Sequence, residues 1–425
     1  MNSNRIGPLL LSGLIVGPIL GSGIIILPPI VYQTTGDYAL LAWLLMMMIS
    51  FLFALVFGKL YILFPGDSGA AEAVEETLGK PFRNLGAAFL ITAVSLGPIA
   101  VLGTASEYLS LWTGTDNNPF YLLGLLLFCY TMVTMSITSL GRFSLILSSL
   151  IVIILVSGSV HSLLFAHGRM DFRTPFQPYS FGYSLLLLFW CLVGWEIIGS
   201  YSGEVRSPNK TIPRAIWLSC LVITMVSLTV AAALQWVEPE RLGVPYSGKL
   251  EIILISLFGR YASMIISLVT ILLCLSTVIM VIGAVSRLIR ALAAEGVLPS
   301  IFSCRNRKQV PIAALLALFV IHFIIFLLVS FKLIPLIQLV AIADAFFLCN
   351  AFLGILAAFR LLKERWVRWT SAFLGFSLLF ILIFTSQWVL VVIAGMSVYT
   401  GWRTYQSKQR KYRTAIKINK HKRFL

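Results

Sequence analysis

Twelve runs of mostly apolar residues recur along the chain, at about 8–33, 39–63, 85–111, 119–140, 143–165, 182–203, 214–237, 261–292, 312–331, 333–361, 369–385 and 387–403. Roughly 20 apolar residues are what an α-helix needs to cross the hydrocarbon core of a bilayer. The expected fold class is therefore an all-α polytopic membrane protein with 12 transmembrane helices. The first run follows Arg5 as a signal peptide would, but no small-residue cleavage motif closes it and further spans follow at once. It is expected to stay as the first span. Composition agrees: 59% of the 425 residues are hydrophobic and 11% charged, against about 45–50% and 25% in soluble chains. Mean hydropathy is +0.95. Six cysteines without framework spacing exclude a disulfide scaffold.

The net charge of +16 would suggest nucleic acid in a soluble protein, but its distribution argues otherwise. Nine bases lie between Arg403 and Arg423, as a basic tail suited to anionic lipid headgroups. With a cytoplasmic N-terminus, the outer loops hold only Arg169, Arg173, Arg241, Lys249, Arg260 and Lys332 of the 32 Lys and Arg residues. The remaining 26 fall inside, as positive-inside loops require, and an even span count returns the tail to that side. Both termini are expected in the cytoplasm of a cell with a bacterial-type inner membrane, and no nucleic-acid partner is expected.

Two connections are unusual. Residues 64–81 carry Pro65-Gly66-Asp67 and then Glu72, Glu75 and Glu76, with Asp67 or Ser68 placed to cap a short amphipathic helix at the inner surface. Residues 238–259 form the longest outer loop. Each is either a gate or a plain connector.

The first run is interrupted. Gly13, Gly17 and Gly21 share one face and admit a close neighbour. Pro18 removes a ladder N–H, and Gly21-Ser22-Gly23 unwinds at little cost. A break here frees N–H groups at the start of a second half-helix, whose positive end points into the membrane centre. Irregular backbone at that depth is tolerated only where it is buried or lines a cavity. The sixth run carries a matching interruption at Phe189-Trp190-Cys191-Leu192-Val193-Gly194-Trp195-Glu196. Such glycines also pack helices, but a pair five spans apart points to an inverted-repeat transporter with a midplane site. The expected architecture is a 5+5 inverted repeat with broken helices 1 and 6: residues 8–165, residues 182–361, two extra helices over 369–403, and the tail at 404–425.

Three segments resemble the amino acid–polyamine–organocation transporters. Gly17 to Pro28 (GPILGSGIIILP) is similar to that superfamily's first-helix signature. Phe189 to Arg214 (FWCLVGWEIIGSYSGEVRSPNKTIPR) resembles its sixth helix and following inner loop. Ser286 to Pro299 (SRLIRALAAEGVLP), with Pro311 opening the next span, resembles its eighth-to-ninth connection. The likeness covers essentially everything but the tail. The compact length and the FWCLVGWE stretch are most like bacterial exporters of methionine and branched-chain amino acids.

The resemblance implies a site for an α-amino acid. The carboxylate would meet the Ser22 hydroxyl and the N–H groups of Gly23 and Ile24, beside Gly21, where a half-helix N-terminus favours an anion. The ammonium would meet free carbonyls at Ile19, Trp190 and Val193, with Trp190 closing over the substrate and Gly194 allowing the unwinding. Phe189, Trp190, Cys191 and Leu192 suggest an apolar pocket for a neutral side chain such as methionine, leucine, isoleucine or valine.

Ionisable residues inside spans are functional candidates by default. Glu196 follows the second break, where a buried carboxyl would exchange a proton near neutrality, and Asp344 lies inside the tenth run. The alternative for each is a hydrogen-bonded structural carboxyl. Glu107 sits near an outer end and is expected to reach water. Ser276 and Thr277 are candidates for a sodium site, although such hydroxyls more commonly satisfy helix carbonyls. Some members of the superfamily place a lysine in the fifth helix instead of sodium; Phe143 to Phe165 contains none. Glu204 is expected to pair with inner-loop bases.

His161 and His167 are expected at an outer loop in water, and His322 stands isolated in the ninth run. None has metal-ligand spacing. The Gly21-x-Gly23 pair lacks a third glycine and a preceding strand, and no phosphate-binding G-x-x-x-x-G-K-[ST] loop occurs. No cofactor or metal is expected. The reading is a secondary amino-acid transporter coupled to protons or to exchange, with export of neutral hydrophobic amino acids favoured. The alternative is a sodium- or proton-coupled uptake permease. A membrane-embedded enzyme would need converging catalytic side chains at one face, and none is visible. The sequence sets no oligomeric state.

Overall fold

A computed structural model describes residues 7–64, 69–115, 119–134, 137–165, 168, 174–195, 205–238, 250–304 and 310–402. Among these residues the regular structure is helical, without a β-strand. The elements run α1 (Pro8–Leu20), α2 (Gly23–Thr35), α3 (Ala39–Leu63), α4 (Gly69–Leu78), α5 (Lys80–Thr113), α6 (Pro119–Val133), α7 (Ile137–Phe165) and α8 (Pro178–Leu188). A 3-10 turn, Phe189–Leu192, continues α8. Then follow α9 (Pro208–Trp236), α10 (Ile252–Phe258), α11 (Ala262–Ala294), α12 (Ile312–Ser330), α13 (Leu336–Leu361) and α14 (Arg365–Leu382). The last is α15 (Gln387–Trp402). Six stretches are long and apolar enough to cross a membrane, with shorter apolar helices beside them. The chain is a multi-pass helical membrane protein.

Local chemistry sets the ends and the bends. Prolines open α1, α5, α8 and α9 within their first turn, where a missing N–H costs nothing. At about 1.5 Å per residue, the 34 residues of α5 outreach a bilayer core of about 30 Å. Hydroxyls inside the apolar helices turn back onto the ladder: Thr35 donates to Val31 O, Thr92 to Ala88 O and Thr104 to Ala100 O. This satisfies a polar side chain where no water competes.

The helices pack as two groups. In one, α5 lies along α11, with α6 and α12 against both. In the other, α3 and α1 pack on α9, while α2 and α3 flank α8. α13 runs between the groups, touching α5, α8 and α3, and α14 backs α13.

The amphipathic helix expected after residue 68 is present as α4, packed on α5 and α13; its capping candidates Asp67 and Ser68 lie outside the described residues. On this face Arg83 donates to Glu75 (2.6 Å) and also pairs with Glu295, tying α4 and α5 to the end of α11. Lys59, at the end of α3, meets Glu364 at 2.6 Å. Hydrogen bonds from Lys59 and Trp366 hold the exposed Glu364 carboxyl below the usual carboxylate range. The bridge therefore persists through mild acid and is lost only as pH falls through that lowered value.

One expectation is corrected. His161 is not left to water: it lies in α7, half-buried, with Nδ1 3.1 Å from the Ser256 hydroxyl of α10. The stretch expected to be a long outer loop thus contains a helix docked on α7, although residues 239–249, His167 and the tail lie outside the described residues.

Candidate functional site

The break in the first span falls where Pro18 and the glycines put it. α1 closes with the Gly21 N–H on Gly17 O at 2.8 Å. Gly21 then takes φ +25°, and a Cβ there would lie 2.6 Å from the Pro18 carbonyl oxygen and 2.7 Å from Thr277 Oγ1. Conformation and space both demand glycine at this position. The ladder of α2 begins only when Ile25 and Ile26 donate to Ser22 O. The N–H groups of Ser22, Gly23 and Ile24 have no backbone acceptor among the described residues, and the carbonyls of Pro18, Ile19 and Leu20 have no backbone donor. One short segment therefore offers three donors and three acceptors, at the positive end of one half-helix and the negative end of the other.

The second interruption lies directly against the first. After the 3-10 turn, Val193 is extended and Gly194 adopts φ +133°. A Cβ on Gly194 would sit 2.6 Å from Ile19 Cγ1. Across the same gap, a Cβ on Gly23 would lie 3.0 Å from Cys191 Sγ and 3.2 Å from Trp190 Cδ1. The Trp190 indole N–H donates to Ser22 Oγ at 3.1 Å. Trp195 anchors the far side of the turn by donating to Ser50 of α3 at 2.8 Å. The Trp190 carbonyl, expected to be free, already accepts the Val193 N–H at 3.3 Å, which leaves it one lone pair.

Three further helices enclose this junction. From α5, Gly97 makes room for the indole: a Cβ there would be 2.8 Å from Trp190 Cη2. From α13, the Phe347 ring meets Trp190 edge-on with centroids 6.0 Å apart. One turn earlier on α13, Asp344 is fully buried and neither carboxyl oxygen has a hydrogen-bond partner among the described residues. The Trp190 main chain approaches it without hydrogen-bond geometry, and Cys191 and Tyr183 are within electrostatic reach. From α11, Thr277 is buried beside Gly21 and donates to Leu273 O at 3.0 Å, while its neighbour Ser276 is half-buried.

Ile19, Gly21, Ser22, Gly23, Ile24, Trp190, Cys191, Val193 and Gly194 thus converge on one place, with Thr277 and Asp344 at its edges. Glu196 and Glu204 lie outside the described residues. Glu107 is exposed near the far end of α5, away from the junction. Gly97 and Phe347 were not singled out from the sequence. The signal for Gly97 was the Gly97-Pro98 pair inside an apolar run, and for Phe347 its place one helical turn beyond Asp344.

Comparison with known proteins bears on what such a junction handles. The family profile described as amino acid permease matches residues 6–405. The uncharacterized amino acid permease YecA of Bacillus subtilis is 24% identical over 385 residues, covering 86% of this chain and 87% of that one. The L-methionine/branched-chain amino acid exporter YjeH of Escherichia coli is 23% identical over 381 residues, covering 87% and 89%. The branched-chain amino acid permease BcaP of Bacillus subtilis is similar over a shorter stretch, 25% over 138 residues, or 32% of this chain and 30% of that one.

Proposed function

The chain belongs to the amino acid permease family, and on that premise we propose that it carries neutral, hydrophobic amino acids across the membrane by alternating access. The family's members are transporters rather than enzymes. The observation that carries the finer reading is the meeting of two helix interruptions, with the Trp190 indole on the Ser22 hydroxyl. In this reading the substrate carboxylate lies on the N–H groups of Gly23 and Ile24 and the Ser22 hydroxyl, at the positive end of α2. The ammonium lies on the carbonyls of Ile19 and Val193 and the remaining lone pair of Trp190. Trp190, Cys191 and Phe347 form an apolar wall for a methionine, leucine, isoleucine or valine side chain.

Asp344 is the carboxyl we assign to proton coupling. An ionised carboxylate buried without a counter-charge costs several kcal/mol, so this position suits one that gains and loses a proton during the cycle. Glu196, the first candidate by sequence, lies outside the described residues. We favour export, driven by protons or by exchange, because a relative similar over nearly the whole chain is an exporter of these amino acids. The second reading, sodium-coupled uptake, draws on Thr277, whose hydroxyl abuts Gly21 at the first break, with Ser276 beside it.

The architecture proposed with this function has twelve spans. Two five-helix repeats occupy 8–165 and 182–361, two extra helices occupy 369–403, and a basic tail occupies 404–425. The face that carries α4 is cytoplasmic, as are both termini, and the membrane is a bacterial inner membrane.

Counterflow in proteoliposomes tests the function. Vesicles loaded with unlabelled leucine or methionine should transiently accumulate external labelled substrate, with a dependence on pH and not on sodium. Sodium dependence would select the Thr277 scheme. Failure to accumulate either substrate, in protein that binds another amine, would overturn the substrate assignment.

A further inference from the structure

α12 turns most of its surface outward, with Leu316, Val320, Phe323, Ile324 and Leu327 exposed. His322 is buried completely, on the inward stripe with Leu315, Leu318, Ile325 and Phe326. In the sequence it stands alone in an apolar run; in the fold both ring nitrogens have partners. Nε2 lies 2.8 Å from the carbonyl oxygen of Val94 in α5. Nδ1 lies 2.7 Å from the Tyr130 hydroxyl in α6. A carbonyl only accepts, so Nε2 carries the hydrogen, and in a neutral imidazole Nδ1 then accepts the Tyr130 O–H. The tautomer follows from the partners.

The identity of the acceptor gives this arrangement meaning. In an unbroken helix the Val94 carbonyl would receive the N–H of residue 98. Residue 98 is Pro98, inside α5, with no N–H to give. A neighbouring helix therefore supplies the donor that the proline lacks, in a setting where an unanswered carbonyl is costly. The residue before the proline is Gly97, the notch against which the Trp190 ring rests. The proline whose missing bond is replaced and the notch are consecutive positions.

We propose that His322 is a positioning residue for the transport site: its Nε2–H replaces the hydrogen bond missing at Pro98, steadies the α5 backbone there, and so holds Gly97 against the Trp190 indole. It touches no substrate and acts through α5. The inference rests on the reading of Trp190 as a wall of the site, so it needs one test through transport and one without it.

Four variants serve both: His322→Leu, His322→Gln, Pro98→Ala and the double variant Pro98→Ala/His322→Leu. A glutamine in place of His322 presents an amide N–H to Val94 and an oxygen to Tyr130, and the Pro98→Ala change returns the missing backbone N–H to Val94. In proteoliposomes, His322→Leu should raise the half-saturation concentration for leucine about tenfold, the scale of one buried hydrogen bond, with maximal rate per folded molecule kept. His322→Gln should restore it to within about threefold. A fall in thermal stability or yield alone, with unchanged half-saturation, would reduce His322 to a structural residue and overturn the proposal; so would His322→Gln behaving like His322→Leu.

Transport-free, protein labelled with fluorotryptophan reports Trp190 by the fluorine resonance that disappears in Trp190→Phe. That resonance should move in His322→Leu and stay in place in His322→Gln. If it is unmoved in His322→Leu, the proposal fails whatever the substrate proves to be. Should His322→Leu not fold, the double variant should fold, because its own helix now answers the Val94 carbonyl. In the Pro98→Ala background, where the restored backbone N–H already answers Val94, His322→Leu should leave the Trp190 resonance in place, and a shift between Pro98→Ala and the double variant would overturn the proposal. If wild-type protein shows no leucine counterflow while the resonance behaves as expected, the transport reading falls and the positioning role stands.

Discussion

Asp344 turns two carboxyl oxygens into a closed interior where no side chain among the described residues answers them. Among the described residues, the main chain of Trp190, the Cys191 thiol and the Tyr183 ring are within its electrostatic reach, all without formal charge. A residue whose only task was to hold helices together would be expected to find a donor. Replacing it by Asn keeps the shape and removes the exchangeable charge. Asp344→Asn should retain exchange of leucine between the two sides of the vesicle but lose the response of net transport to pH. A one-proton response amounts to at most about tenfold per pH unit, and the variant should be nearly flat across the same range. Counterflow and gradient-driven uptake measured in parallel between mildly acidic and mildly alkaline pH check this. A variant with an unchanged pH profile would remove Asp344 from the coupling scheme.

At the scale of the element, the first break places donors where an unbroken helix would have none free. Gly23 begins α2 and faces the sulfur of Cys191 and the edge of Trp190 at contact distance. Gly23→Leu should fold, because leucine is a good helix former, yet abolish leucine and methionine binding. Isothermal titration or scintillation proximity binding on purified protein would measure it; retained affinity would mean that the substrate does not lie at the start of α2. The breaks themselves were legible because their causes are local. Pro18, Gly21 and Gly194 announce themselves in any apolar run. What the sequence withheld is the pairing across the breaks. That Gly97 receives Trp190, that Asp344 faces the same turn, and that His322 completes the bond Pro98 lacks are contacts between residues 93, 154 and 224 positions apart by number, and no periodicity encodes them. Likewise, nothing local told that His161 would find Ser256.

For the whole molecule, the two helix groups, with α13 between them, offer the division that the proposed alternating access requires. The charged ties at Arg83 and Lys59 gather on the face that carries α4. Orientation has a built-in reporter. Of the six cysteines only Cys304, beyond the end of α11, is exposed. If the α4 face is cytoplasmic, a membrane-impermeant maleimide should leave intact cells unlabelled and label inverted vesicles, with the signal lost in Cys304→Ser. Labelling of intact cells would reverse the proposed topology.

Gly21, Gly23, Gly97 and Gly194 have a common property: each marks a place where a single added carbon would strike a neighbour. The junction is shaped by what these positions leave out. In genetic terms, every substitution at the four is an addition, so none of the four can be rescued at its own position short of reversion. Suppressors of lesions at Gly23 and Gly97 belong on the opposite wall, at Cys191 or Trp190, and should be smaller residues than those they replace, whereas Gly21 and Gly194, held at positive φ, admit no such relief.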